Sequence, residues 1–299
     1  MYPILFTIPG TEFPITSFGL MMFLAFVAGA WIGGKQLLRY GMRPEFIWDT
    51  LAWVAIAGIV GAKLYFIALN WTQVRLNPSM VLDREGLVWY GGLIGGVIAF
   101  GIQVSKRKLP AMTMYDASAP AIALAYAIGR LGCFLVGDDY GRYTDGPLGV
   151  TFVDGGLPAT TAGYMRSLGN AVPMNIPDNV IVPVHPTQLY EMALALIILA
   201  ILWRLGSRAH RVGQLFAAFL VMYSVERFAI EFLRAKTDRY LWGLSTSQIL
   251  SIGLLLFGLW LLWSRGRTAS LAPIVGGGPP PQAGTAVQTE TPRGLGAMA

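Results

Sequence analysis

The chain has 299 residues, 55% hydrophobic and 13% charged, with a formal net charge of +6 and a mean hydropathy of +0.55. Soluble domains carry roughly 25% charged residues, so a water-soluble globular fold is excluded, and the lone cysteine, Cys133, excludes an intrachain disulfide framework. The positive charge calls for a topological explanation before a nucleic-acid one, because cytoplasmic loops of membrane proteins collect Lys and Arg.

The N-terminal residues show no basic stretch and no small-residue cleavage site, so no signal peptide is expected. A spanning helix needs ~20 mostly apolar residues. Such stretches lie at 15–32, 47–69, 87–104, 112–136, 186–203, 213–233 and 244–263. They predict an all-α polytopic membrane protein of about seven transmembrane helices, with 1–267 as one transmembrane domain and 137–185 as an external segment. Residues 268–299, rich in Gly, Pro, Ala and Thr, read as a disordered cytoplasmic tail.

Loop charges orient the bundle. Lys35, Arg39 and Arg43, then Lys106, Arg107 and Lys108, then Arg204, Arg208 and Arg211 mark one side, and Arg265 and Arg267 follow the last span. On the other side Arg75 and Arg84 are balanced by Asp83 and Glu85, and 137–185 carries Asp138, Asp139, Asp145, Asp154 and Asp178 against Arg142 and Arg166. The positive-inside rule therefore predicts an external N-terminus and a cytoplasmic C-terminus. Arg234, Lys236 and Arg239, read as a final external loop, run against it. Topology thus accounts for the net charge without nucleic acid.

Ionisable groups inside a membrane are costly and face cavities or partners. At ~1.5 Å of rise per residue, Lys63, Tyr90, Arg130, His185, Glu191, Tyr223, Arg227 and Glu231 all fall at the outer ends of their spans, whereas the inner ends hold little beyond Asp49 and Asp116. Tyr223, Arg227 and Glu231 are spaced four apart, on one helix face. Capping or snorkelling accounts equally well for Lys63 and Glu191, taken singly. Arg130, Arg227 and Glu231 instead interrupt otherwise apolar helices. Guanidinium matches phosphate through bidentate charge-assisted hydrogen bonds, so two arginines at this depth predict a site for an anionic phospholipid headgroup. The glycine pairs Gly29/Gly33, Gly91/Gly95 and Gly92/Gly96 read as close helix packing. No Walker-type signature is present.

GRLGCFLVGDDYG (129–141), YGGLIGG (90–96), HPTQLYE (185–191) and the Tyr223/Arg227/Glu231 ladder together resemble the bacterial prolipoprotein diacylglyceryl transferases, whose signature has the form G-R-x-G-N-F-x-N-x-E-x-x-G. The resemblance covers about residues 10–265. It implies a seven-span enzyme of the bacterial inner membrane that moves the diacylglyceryl group of phosphatidylglycerol onto the lipobox cysteine of prolipoproteins. It also implies that glycerol phosphate is released and that no metal or organic cofactor takes part. Carried onto this sequence, Arg130 and Arg227 would grip and activate the phosphate, with Glu231, Tyr223 and His185 around the lipid. The acidic 137–185 segment would cover the external mouth.

This chain departs from the pattern where the family has histidine before G-G-L-I-G: it has Tyr90. Cys133 and Val136 replace the signature asparagines, Asp138 replaces the glutamate, and Met22 stands where the first span usually has tyrosine. A phenol, with a pKa near ~10, is a poor base at neutral pH. The catalytic base thus lies open among Tyr90, Asp138 and His185, though a helix cap suits His185 better. Cys133 reads as an inert buried thiol and His210 as a loop residue. A second reading keeps the lipid site but changes the acceptor or loses catalysis, as a divergent paralogue or phospholipid-binding protein. A transporter would need a polar path to both faces, and the inner halves of these spans are too apolar to give one.

Overall fold

Short polar signals set the ends of the apolar helices. The computed structural model describes residues 2–10, 14–81, 88–153, 158–235 and 243–272. An antiparallel pair, β1 (Ile4–Thr7) and β2 (Pro14–Thr16), leads into α1 (Ser17–Arg39), which Thr16 caps by accepting from the Gly19 amide at 3.1 Å. Then come α2 (Glu45–Leu69), the short α3 (Trp71–Leu76), α4 (Trp89–Lys106) and α5 (Ala111–Val136). Gly137 closes α5 with a φ of +79°, the left-handed cap that glycine adopts without strain. After the short α6 (Ala162–Ser167) follow α7 (Thr187–Leu205), α8 (Gln214–Ile230) and α9 (Thr246–Thr268). Ser245 and Gln248 start α9 with a reciprocal capping box.

α5 is the hub, packed by α1, α7 and α8, while α9 lies on α8 and α2 pairs with α4. Small residues make these approaches possible. Gly29 and Gly33 of α1 sit against Ala121 of α5. Gly61 of α2 meets Gly91 and Gly95 of α4 so closely that a β-carbon on any of the three would strike backbone. The two aspartates read from the sequence as inner-end residues have structural partners. Asp116, buried in α5, accepts from the Gly213 and Phe216 amides at 2.6 and 2.8 Å and so caps α8. Asp49 pairs with Arg107 at 3.0 Å on the surface.

Among the described residues, α1, α2, α5, α7 and α9 are each long and apolar enough to cross a membrane. α4 is diluted by Gly91, Gly92, Gly95, Gly96 and Gly101, and α8 is only 17 residues long and carries Glu226 and Arg227. Phe23, Trp53, Ile59, Val97, Leu256 and Trp260 lie exposed on the outside of the bundle, an apolar surface suited to lipid rather than water.

The described residues of 137–185 form a compact cap rather than a plain loop. Tyr140, Phe152, Ala162, Met165, Val172, Val182 and Val184 make its own core, and bridges Tyr143–Val184, Val150–Val184 and Thr161–Ile181 tie it together. A further bridge joins Gly141 to Arg234, just past α8. At the other end of the bundle α9 runs to Thr268, and residues 269–272 fold back on the loop before α8, with Val212 donating to the Ser270 carbonyl and Ala272 to that of His210. The rest of the predicted tail, 273–299, lies outside the described residues, as do Asp83, Arg84, Glu85, Asp154, Lys236 and Arg239.

Candidate active site

α5 and α8 end, and α7 and α9 begin, at the same end of the bundle, so their polar residues meet. From α5, Arg130 extends its Nη1 to Asp139 at 3.0 Å and its Nε to Glu191 of α7. Glu191 also accepts the hydroxyl of Tyr126, one turn before Arg130, and it meets Arg234 Nη1 at 3.4 Å. From α8, Arg227 holds Glu231 at 2.9 Å and reaches Ser247 of α9 at 3.1 Å. Arg234 closes the circle, pairing with Asp139 and lying 3.7 Å from Glu231. Arg130, Arg227 and Arg234 therefore face Asp139, Glu191 and Glu231, a balance that buried ions require.

The three guanidiniums are not equivalent. Arg234 is sealed, its side chain 2% exposed, while Arg130 and Arg227 keep 12% and 13% open. Arg227 also has a buried Nη1 with no hydrogen-bond acceptor among the described residues. Polar donors inside proteins are almost always satisfied, and this one has neither a hydrogen bond nor an ion pair among the described residues.

The HPTQLYE segment builds the turn over this cluster. Thr187 donates to the Asp139 carbonyl at 2.8 Å, and Gln188 donates to that of Asp138. They hold Asp139 at a φ of +58°, a left-handed conformation that aspartate tolerates better than most side chains, and so aim its carboxylate back at Arg130 and Arg234. His185 anchors the same segment: its backbone pairs with Gly141 and Arg142, and its Nδ1 meets the Tyr190 hydroxyl at 3.3 Å. Asp138 turns toward the Cys133 thiol. Burial, reinforced by the charge of Asp139, raises the Asp138 carboxyl above its ordinary range. The Cys133, Asp138 and Asp139 donor atoms lie within 4.8 Å of one another. Arginines already occupy both Asp139 oxygens, however, and their charge opposes a cation there.

Of the residues singled out in the sequence, Arg130, Glu191, Arg227, Glu231 and Tyr223 come together. Tyr223 packs edge-on against Tyr126 and stacks on Phe219. Asp138 and His185 border the cluster. Tyr90 is not brought to it among the described residues: its ring packs on Trp89, on the α2–α4 pair. Sequence reasoning missed Tyr126, Asp139, Glu226 and Arg234. Tyr126 precedes Arg130 by four residues, and Arg234 follows Glu231 by three, so helical spacing alone could have added both. Arg234 had instead been assigned to an external loop; the Gly141 bridge and its three carboxylate neighbours bury it.

Fold and site together define a polytopic helical membrane protein with a buried arginine–carboxylate cluster at one end of its bundle. The model of the prolipoprotein diacylglyceryl transferase family matches residues 3–264, and the chain belongs to that family. Among similar proteins are phosphatidylglycerol–prolipoprotein diacylglyceryl transferases from three bacteria. That of Clostridium tetani is 30% identical over 262 residues, 87% of this chain and 96% of its own length. That of Halalkalibacterium halodurans is 32% identical over 87% and 85% of the two chains, and that of Enterococcus faecalis 29% over 86% and 89%.

Proposed function

We propose that this protein transfers the diacylglyceryl group of phosphatidylglycerol to the lipobox cysteine thiol of prolipoproteins in the bacterial inner membrane. The observation that carries the site assignment is the unpaired, buried Nη1 of Arg227, on a partly open guanidinium at the same end of the bundle as that of Arg130. In this reading the two arginines clamp the phosphate and stabilise the charge that develops as it leaves. Glu231 holds Arg227, Tyr223 walls the lipid side, and His185 and Asp138 secure the segment above. The reaction forms a C–S bond at the glyceryl carbon and breaks that carbon's bond to the phosphate oxygen, releasing glycerol phosphate.

In the same proposal all seven long helices span the membrane. α8, with 17 residues, reaches about 26 Å at ~1.5 Å per residue, close to the ~30 Å hydrocarbon core. The N-terminus and the 137–185 cap lie outside, and the C-terminus is cytoplasmic. Burial of Arg234 supports this orientation, since it removes one basic residue from the external loop count.

The test is purified protein with phosphatidylglycerol vesicles and a lipobox peptide, reading thioether product and glycerol phosphate. Arg130→Ala and Arg227→Ala are each expected to lower the rate about 10²–10³-fold, the usual cost of losing one preorganised charge-stabilising donor. Full activity in either variant would sink the clamp, and a wild-type protein that lipidates nothing would favour a changed acceptor or lipid binding alone.

A further inference from the structure

Glu226 lies on α8 beside Arg227 and is 5% exposed. Neither of its carboxyl oxygens has a hydrogen-bond partner, and no ion pair reaches it among the described residues. The charged and titratable groups that face it are Tyr126 and Arg130 of α5, Glu191 of α7, Arg234, and Tyr223 and Arg227 on its own helix. The paired carboxylates of the cluster are differently placed. Asp139 and Glu191 are each held by Arg130 and Arg234, and Glu231 by Arg227 and Arg234. Leaving a buried polar group unsatisfied costs its full desolvation penalty. A cost of that kind marks a group whose partner arrives with the substrate.

Position narrows that partner. Arg227 extends toward the end of α8, where it meets Glu231 and Ser247. Glu226 precedes Arg227 on α8 and faces Tyr126 and Tyr223. A phosphodiester gripped by Arg130 and Arg227 brings the glyceryl carbon bonded to its phosphate oxygen beside Glu226, whose carboxyl faces both guanidiniums. The incoming sulfur must reach that same carbon and lose its proton there.

We infer that Glu226 is the general base that takes the proton from the attacking thiol, an inference that rests on the transferase reading above. The carboxylate accepts the S–H proton as the sulfur electron pair forms the C–S bond. The C–O bond breaks, and its electrons leave on the phosphate oxygen held by the two guanidiniums. The proton then passes from Glu226 to the departing phosphate monoester, so the step needs no other reactant. Tyr90 has no part in it.

The test uses the full chain with phosphatidylglycerol vesicles and a lipobox peptide, reading kcat, KM for the lipid and the pH–rate profile. Glu226→Gln is expected to lower kcat about 10²–10⁴-fold, the usual worth of general base catalysis, with KM within about threefold of wild type. Its residual rate should climb with pH toward the thiol pKa of ~8.5, as hydroxide supplies the thiolate, a slope that loss of packing alone would not create. Glu226→Asp keeps the carboxylate but shortens its reach, and should fall between the two without the alkaline climb. A Glu226→Gln protein with wild-type kcat, or with lowered kcat and an unchanged pH profile, overturns the inference and leaves the transferase reading standing. Wild type that transfers nothing overturns both. If Glu226→Gln fails to accumulate in the membrane, Glu226→Asp decides, and wild-type kcat in that variant overturns the inference.

Discussion

Two regions of this bundle are held together by opposite means. α2 and α4 meet backbone to backbone across Gly61, Gly91 and Gly95, and the one ion pair described between them, Asp49 with Arg107, lies on the surface where α4 ends. α5, α7 and α8 meet across long charged side chains that are almost wholly buried. The first contact draws on van der Waals packing, which tolerates no added atom. The second draws on charge balance, which tolerates no lost partner. The contrast supports the proposed site: among the described residues the charged end leaves Arg227 Nη1 and both Glu226 oxygens without a hydrogen-bond partner.

The largest test of this contrast is Arg234→Ala. Removing one partner from a buried network should destabilise the protein by about 3–5 kcal/mol, seen as a lowered Tm in detergent, with loss of transfer because Asp139 and Glu191 would turn on Arg130. An unchanged Tm would mean that the network is not what holds the end of α8. Gly95→Val attacks the other region. Its side chain would strike the Ala57 carbonyl and cost about 1–3 kcal/mol of overpacking, yet the surviving folded protein should keep its rate per molecule. A lost rate in a folded Gly95→Val protein would tie the glycine seam to catalysis.

Smaller effects sharpen the boundary. Tyr90→Phe removes a hydroxyl with no partner among the described residues, so a rate within about twofold of wild type is expected in the peptide assay; a much larger fall would return Tyr90 to the chemistry. The smallest change is expected from Asp138→Asn. Burial raises the folded-state pKa of Asp138, so its contribution to stability is complete below ~3.9 and falls away as pH rises through the raised value. The asparagine variant lacks that loss. Its Tm relative to wild type should therefore be more favourable at pH 8 than at pH 4.

The spans were legible because a run of ~20 apolar residues between basic loops has few other physical solutions. The observed long helices begin and end within a few residues of the predicted stretches, except that α1 and α9 run on to Arg39 and Thr268, since a helix does not stop where the lipid does. Arg130, Arg227 and Glu231 were legible for a related reason: a charge inside an apolar helix needs a partner, whatever the fold.

What the sequence by itself determined, then, is a membrane-embedded helical bundle with its polar groups at one end, because solvent cost and helical period act on each segment separately. Only the tertiary structure decided which charges pair. Arg234 becomes core because a strand bridge from Gly141 folds over it. Asp139 reaches across to two arginines because Thr187 and Gln188, from a different helix, hold its turn. Tyr90 and Arg130 read at similar depth along the chain, yet one lies on the α2–α4 seam and the other in the cluster. Depth comes from one helix at a time, whereas partnership depends on how helices are arranged around α5, and no local pattern encodes that arrangement.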